Sequence, residues 1–119
     1  MQHSKRCLYR LDGVRCLVRK SRERNDLLSR EGNRFNVSFP DIVDAVAAVP
    51  GDSVWDTELA VCGARGKDAF SSLQQRARTT SLRSVPAAAR RCTARLYVLD
   101  MLASGARDLR GLALTGVIE

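Results

Sequence analysis

The sequence is poor in the residues that most often carry enzyme chemistry. Its 119 residues include one histidine, three lysines and 5% aromatic side chains. His3 stands at the very start, so no imidazole is left for Ser-His-Asp or Cys-His chemistry. With few rings, the core must be built mainly from Leu, Val and Ala. The four cysteines, Cys7, Cys16, Cys62 and Cys92, form no C-x-x-C pair and lack the clustering of a zinc site. They read as reduced, mostly buried thiols of an intracellular chain. No apolar run approaches the ~20 residues of a membrane span. Met1-Gln2-His3-Ser4-Lys5-Arg6 leads into no apolar stretch of the kind a secretory signal needs. The length suits one domain with one core, and the expectation is a cytoplasmic protein with no membrane partner.

Charge is the first positive signal. Twenty basic residues against 13 acidic ones leave a formal net charge of +7. Only Lys5, Lys20 and Lys67 are lysines, and the other basic residues are arginines. Their planar fork of donors suits phosphate, although a GC-rich coding bias also raises Arg, Ala, Gly and Val. Placement says more than composition. Between Asp68 and Asp100 there is no acid, yet Arg76, Arg78, Arg83, Arg90, Arg91 and Arg95 fall there. A one-signed stretch of this kind is either a solvated face or a positive field toward nucleic acid. On the second reading Arg76, Arg78 and Arg83 are candidate DNA contacts.

Patterning predicts strand, turn, strand over residues 7–20, with Asp12-Gly13 as the turn. A short strand follows at Leu27 to Arg30, closed by Glu31-Gly32-Asn33. Phe39-Pro40-Asp41 opens a helix that Pro50-Gly51 stops. Val54 to Val61 reads as a strand and 62–68 as a loop. Helices are expected over Phe70 to Thr79 and Pro86 to Arg91, a buried strand over Leu96 to Leu99, and a return element from Leu109 to Thr115. This order favours an α+β fold with a mostly antiparallel sheet.

Four short motifs stand in sequence: Arg10-Leu11-Asp12-Gly13-Val14-Arg15, Ser29-Arg30-Glu31-Gly32-Asn33, Asp56-Thr57-Glu58-Leu59 and Tyr97-Val98-Leu99-Asp100. In order and spacing they resemble the nucleotidyltransferase (adenylation) domain of ATP-dependent DNA ligases. That family carries Lys-x-Asp-Gly-x-Arg, Ser-Arg with a turn, Asp-Gly-Glu, and an aromatic-rich strand ending in Phe-Asp. Phe39-Pro40-Asp41, Phe70-x-x-Leu73-Gln74-x-Arg76 and Asp108-Leu109-Arg110-Gly111-Leu112 resemble its connecting segments. RNA ligases and capping enzymes share the chemistry, but the connecting segments favour DNA ligase. The resemblance runs from about Tyr9 to Thr115. It implies the ATP-grasp-like fold that ligases share with mRNA capping enzymes, ATP and Mg2+ as cofactors, and nicked duplex DNA as partner in repair and recombination. It places Asp12, Gly13, Arg15, Arg30, Glu58 and Leu99 at nucleotide-binding positions, with Glu58 also near a metal.

The departures bear on activity. Arg10 occupies the position of the family's nucleophilic lysine, and a guanidinium stays protonated and has no free lone pair for attack on phosphorus. Thr57 replaces a glycine, which adds a side chain where close backbone approach is expected. Leu99 stands where the family stacks a phenylalanine on adenine. The later acidic motif, the Lys-x-Lys strand and the OB-fold domain have no counterpart after Thr115. The expectation is thus a single partial nucleotidyltransferase domain over 1–119, inactive or completed by a separate half. The alternatives are a non-catalytic basic DNA-binding module and a remnant reading frame.

Overall fold

The computed structural model describes residues 12–61, 66–104, 107–108 and 113–118. Its strands are β1 (Val14–Lys20), β2 (Asn25–Leu28), β3 (Ser53–Val61), β4 (Ala94–Ser104), β5 (Arg107–Asp108) and β6 (Ala113–Ile118). Its helices are α1 (Pro40–Ala47), α2 (Gly66–Ala77) and α3 (Val85–Arg91). The strands form one sheet in the order β2-β1-β3-β4-β5, with β6 also paired to β4. Every pairing is antiparallel. The α+β class expected from the sequence is what the chain adopts.

Period-two alternation explains how the sheet acquires two different faces. Cys16 and Val18 of β1, Trp55, Thr57 and Leu59 of β3, and Leu96 and Val98 of β4 are buried on one side. The helices cover that side with residues at helical spacing: Ile42 and Val46 of α1, Leu73 of α2, and Val85 and Ala88 of α3. Each fully buried Leu, Val or Ile contributes about 1.5–3 kcal/mol relative to exposure. Phe35 and Phe39 add an edge-to-face ring pair with centroids 5.8 Å apart. Pro40 fits the first helical turn because its missing N–H has no intrahelical partner there. After α1 the chain reverses at Gly51, whose φ of 89° favours glycine.

On the sheet face away from the helices, Arg15 pairs in register with Glu58, and Glu58 with Tyr97. Asp56 lies between Leu17 and Asp100 in the same way. Thr57 pairs with Val98 and Asp56 with Asp100, so Leu99 is the extra residue of a bulge in β4.

Several boundaries differ from the patterned expectations. β1 begins at Val14, and the strand expected before Asp12-Gly13 lies outside the described residues. β2 ends at Leu28 because Ser29 starts a tight loop, in which the Gly32 N–H donates to the Ser29 carbonyl at 2.9 Å. α2 starts at Gly66, inside the expected loop. β4 runs on both sides of its apolar centre, and the return element is two pieces, β5 and β6. No described helix is long and apolar enough to cross a membrane.

Candidate nucleotide and nucleic-acid groove

Gly13 enters β1 against the end of β3. A Cβ built on it would lie 2.0 Å from the Leu59 carbonyl oxygen, far inside any contact distance. Close approach, not left-handed backbone, is therefore what requires glycine here. Its N–H donates to the Glu58 carboxylate. Asp12, one residue earlier, accepts a hydrogen bond from the Gly66 N–H at 2.7 Å. Its carboxylate thus lies at the start of α2, where negative charge is favourable.

Arg15 follows on the open face. Its Nε lies 3.3 Å from Asp56 Oδ1, and its Nη2 donates to Asp56 Oδ2. The two side chains are 44% and 30% exposed, and pairs this wet are worth at most about 1 kcal/mol. An incoming anion could therefore take over the guanidinium at little cost. The hydrogen bond to Asp56 raises the Arg15 pKa further. Burial pushes the Glu58 carboxyl above its usual range, against the opposing pull of Arg15 and the Gly13 N–H. Glu58 thus holds a proton more readily than an ordinary carboxylate.

A groove of about 580 Å³ opens beside these residues, lined by Gly13, Arg15, Ser29, Arg30, Phe35, Phe70, Gln74, Arg78 and their neighbours. Arg30 sits at the tip of the Ser29–Asn33 loop, which is held by the Ser29 Oγ accepting from the Asn33 N–H at 3.0 Å. Arg15 and Arg30 also share a smaller hollow of about 210 Å³ with Asp56. Arg78 comes from the end of α2 to the same groove. The fold thus brings Gly13, Arg15, Arg30 and Arg78 together. Leu99 lies on the β4 bulge, and Arg83 is exposed in the loop before α3. Arg10 lies outside the described residues, as do Cys7 and Cys62.

One assignment is corrected by burial. Arg76 was expected among the DNA contacts, but its side chain is fully buried. It donates to the Ser38 carbonyl at 3.2 Å, to the Cys92 carbonyl at 2.9 Å and to Asp41. Its guanidinium carbon stands 4.4 Å from the centre of the Phe39 ring. Every face of that guanidinium is occupied by protein, so it cannot reach a phosphate. Thr57 also departs from expectation. It is fully buried on the helix side, and its hydroxyl donates to the Cys16 carbonyl. The threonine that stands in place of the glycine therefore adds nothing to the open face.

Cys16 is a buried free thiol, and Cys92 is buried as well. Burial pushes the Cys16 pKa up to about 12, so it is no thiolate nucleophile at neutral pH. Among the described residues, no group of three or more His, Cys, Asp or Glu side chains is placed to hold a metal ion. Sequence reading quoted the motifs of Asp56 and Asp100 but gave no role to Asp56, the partner of Arg15, or to Asp100, whose Oδ1 is buried without a hydrogen bond among the described residues. Their register as neighbours across β3 and β4 was the missing signal.

An antiparallel sheet with helices on one face and an arginine-lined groove at its Asp-Gly entry defines an α+β domain of nucleotidyltransferase type. The family model for the ATP dependent DNA ligase domain matches residues 1–115. The chain belongs to the ATP-dependent DNA ligase family. It is similar to a protein named Probable DNA ligase from Opitutus terrae, 38% identical over 65 residues, which is 55% of this chain and 6% of that protein. The match therefore covers a small share of the relative's length.

Proposed function

We propose that this chain is a ligase-family module that binds nucleotide and DNA without forming the lysyl-adenylate. The observation that carries this reading is Arg10 at the position of the attacking lysine. Lysine can lose its proton and attack phosphorus, whereas a guanidinium remains charged at any accessible pH. The groove supports the binding half of the reading. Arg15 and Arg30 can fork onto phosphate or ribose oxygens, and Glu58 can accept from a ribose hydroxyl.

Mg2+ is usually held by one or two carboxylates together with substrate phosphates. Glu58, paired across the strands with Arg15 on the open face, is the carboxylate that would take that sparse role. ATP, when bound, would supply the phosphate oxygens. The nucleic-acid partner is nicked duplex DNA, met by Arg78 and Arg83. Nick joining in repair or recombination would then require a nucleophilic amine supplied from outside this motif.

The test is incubation with radiolabelled ATP and magnesium, followed by denaturing electrophoresis and peptide mapping. No covalent AMP is expected, while equilibrium dialysis detects ATP binding that Arg15→Ala and Arg30→Ala weaken. Label on Lys5, Lys20 or Lys67 would show a displaced nucleophile and overturn the reading.

A further inference from the structure

Asp26 of β2 pairs in register with Arg19 of β1, on the sheet face away from the helices. Its side chain is only 3% exposed, yet three guanidinium groups converge on it. Arg19 Nη2 lies 3.3 Å from Oδ2, while Arg24 Nη2 and Arg34 Nε lie 3.2 and 3.5 Å from Oδ1. All three arginines remain more than half exposed. They come from three segments: β1, the β1–β2 turn and the chain that returns beside β2. Each segment is fixed by its own hydrogen bonds. Ser21 Oγ accepts from the Arg24 N–H at 3.2 Å. Arg34 bridges to Leu28, and the Phe35 N–H donates to the Leu27 carbonyl at 2.7 Å.

One carboxylate balances one of these charges, so the cluster keeps an excess of two. Arg22 and Glu23 of the adjoining turn, both exposed, cancel each other and leave that excess in place. Asp26 does not need three cations, since a single arginine fork can meet both of its oxygens. Like charges gathered this closely repel one another, and a second anion on their exposed side relieves the repulsion. Each guanidinium turns one nitrogen to Asp26, which leaves further N–H donors for oxygens outside the protein. Arg34 also lines the groove that holds Arg30 and Arg78, so the cluster adjoins that groove. We propose that Arg19, Arg24 and Arg34 form a second backbone contact for duplex DNA, beyond the groove and across the outer hairpin. This contact, which rests on the DNA-binding reading above, extends the footprint to residues outside all four ligase motifs. Exposed planar forks favour phosphate, and continuity with the groove favours DNA over an acidic protein segment. Contacts of this kind position a duplex without reading its sequence.

The test measures binding of nicked duplex to the full chain by fluorescence anisotropy at several salt concentrations. Arg19→Ala combined with Arg24→Ala leaves Arg34 to hold Asp26, and circular dichroism checks that the fold is kept. This double variant should flatten the slope of log affinity against log salt by about 0.9–1.8, the share of one or two phosphates. Arg24→Ala alone keeps two cations on Asp26 and should give part of the same change. All duplex sequences should weaken alike. Arg90→Ala removes an equal charge from the exposed end of α3, on the helix-covered side, and should leave the slope unchanged. ATP binding in equilibrium dialysis should survive the double variant, which separates this surface from the Arg15–Arg30 groove. A wild-type slope in both arginine variants, or an equal loss in Arg90→Ala, would overturn the cluster while DNA binding by the groove stands. No duplex binding by the wild-type chain would overturn both readings. Tighter binding of an oligoglutamate peptide than of the duplex would assign the cluster to an acidic protein segment and overturn the DNA contact.

Discussion

Arg76 lies over the ring of Phe39, with its guanidinium carbon 4.4 Å from the ring centre. Around that stack it ties the carbonyls of Ser38 and Cys92 and the carboxylate of Asp41 to one side chain. Three segments, the entry to α1, helix α2 and the end of α3, are thus held by one cation. Asp41 is 43% exposed, so the main loss on removing Arg76 is the donor to two buried carbonyls, at about 1–3 kcal/mol for each. Arg76→Ala should therefore lose about 2–6 kcal/mol in urea denaturation. Arg76→Lys should also destabilise, since an ammonium cannot satisfy three acceptors in the same plane.

The DNA contribution should move to other arginines. Phosphate contacts release counterions, so log affinity falls with log salt by about 0.9 per neutralised phosphate. Arg78→Ala and Arg83→Ala should each flatten that slope in anisotropy titrations of nicked duplex and weaken all sequences alike. Binding that ignores salt would leave coding bias as the better account of the arginines.

Gly13→Ala should act on the neighbouring strand. The added Cβ would meet the Leu59 carbonyl at 2.0 Å, so β1 and the end of β3 must separate. Overpacking of this kind costs about 1–3 kcal/mol. Amide exchange should quicken at Glu58 and Leu59 while α1 stays protected.

Thr57→Gly, which restores the family residue, should destabilise. It removes a buried hydroxyl bonded to the Cys16 carbonyl, a loss of about 0.5–1.5 kcal/mol, and puts a glycine inside a strand. Adenylation should not return, because the threonine side chain is on the helix side of the sheet.

Glu58 sets a pH dependence. Burial raises its folded pKa above the unfolded value, so the native state binds the proton more tightly. Stability attributable to this group is therefore highest at low pH and falls as pH rises from the unfolded pKa, about 4.3, through the raised folded value. Glu58→Gln should remove that decline in a series of thermal melts across this window.

Much of this architecture was legible in the sequence. Phe39-Pro40-Asp41 marked α1, and the alternation from Val54 to Val61 marked β3, because each carries its period or its stop signal locally. Arg76 was misread for a physical reason: an acid-free stretch looks like a charged face, while its counterion, Asp41, lies 35 residues earlier in the chain. Only the approach of α2 to the entry of α1 joins them. The Arg15–Asp56 pair likewise depends on strand register, which no local pattern specifies. The start of α2 was missed because Gly66, read as loop, is the residue that receives Asp12.

The contacts of Asp12 and Gly13 lie within the protein itself. One holds the first N–H of α2, and the other fits the backbone of β3, so together they clasp three elements at the mouth of the groove. Neither contact uses the side chain of residue 10. In this chain, Asp12 and Gly13 maintain the shape of the groove whichever side chain stands at residue 10. On the proposed reading, loss of the reactive group leaves the mould intact, and a ligase-like surface outlasts the adenylation step.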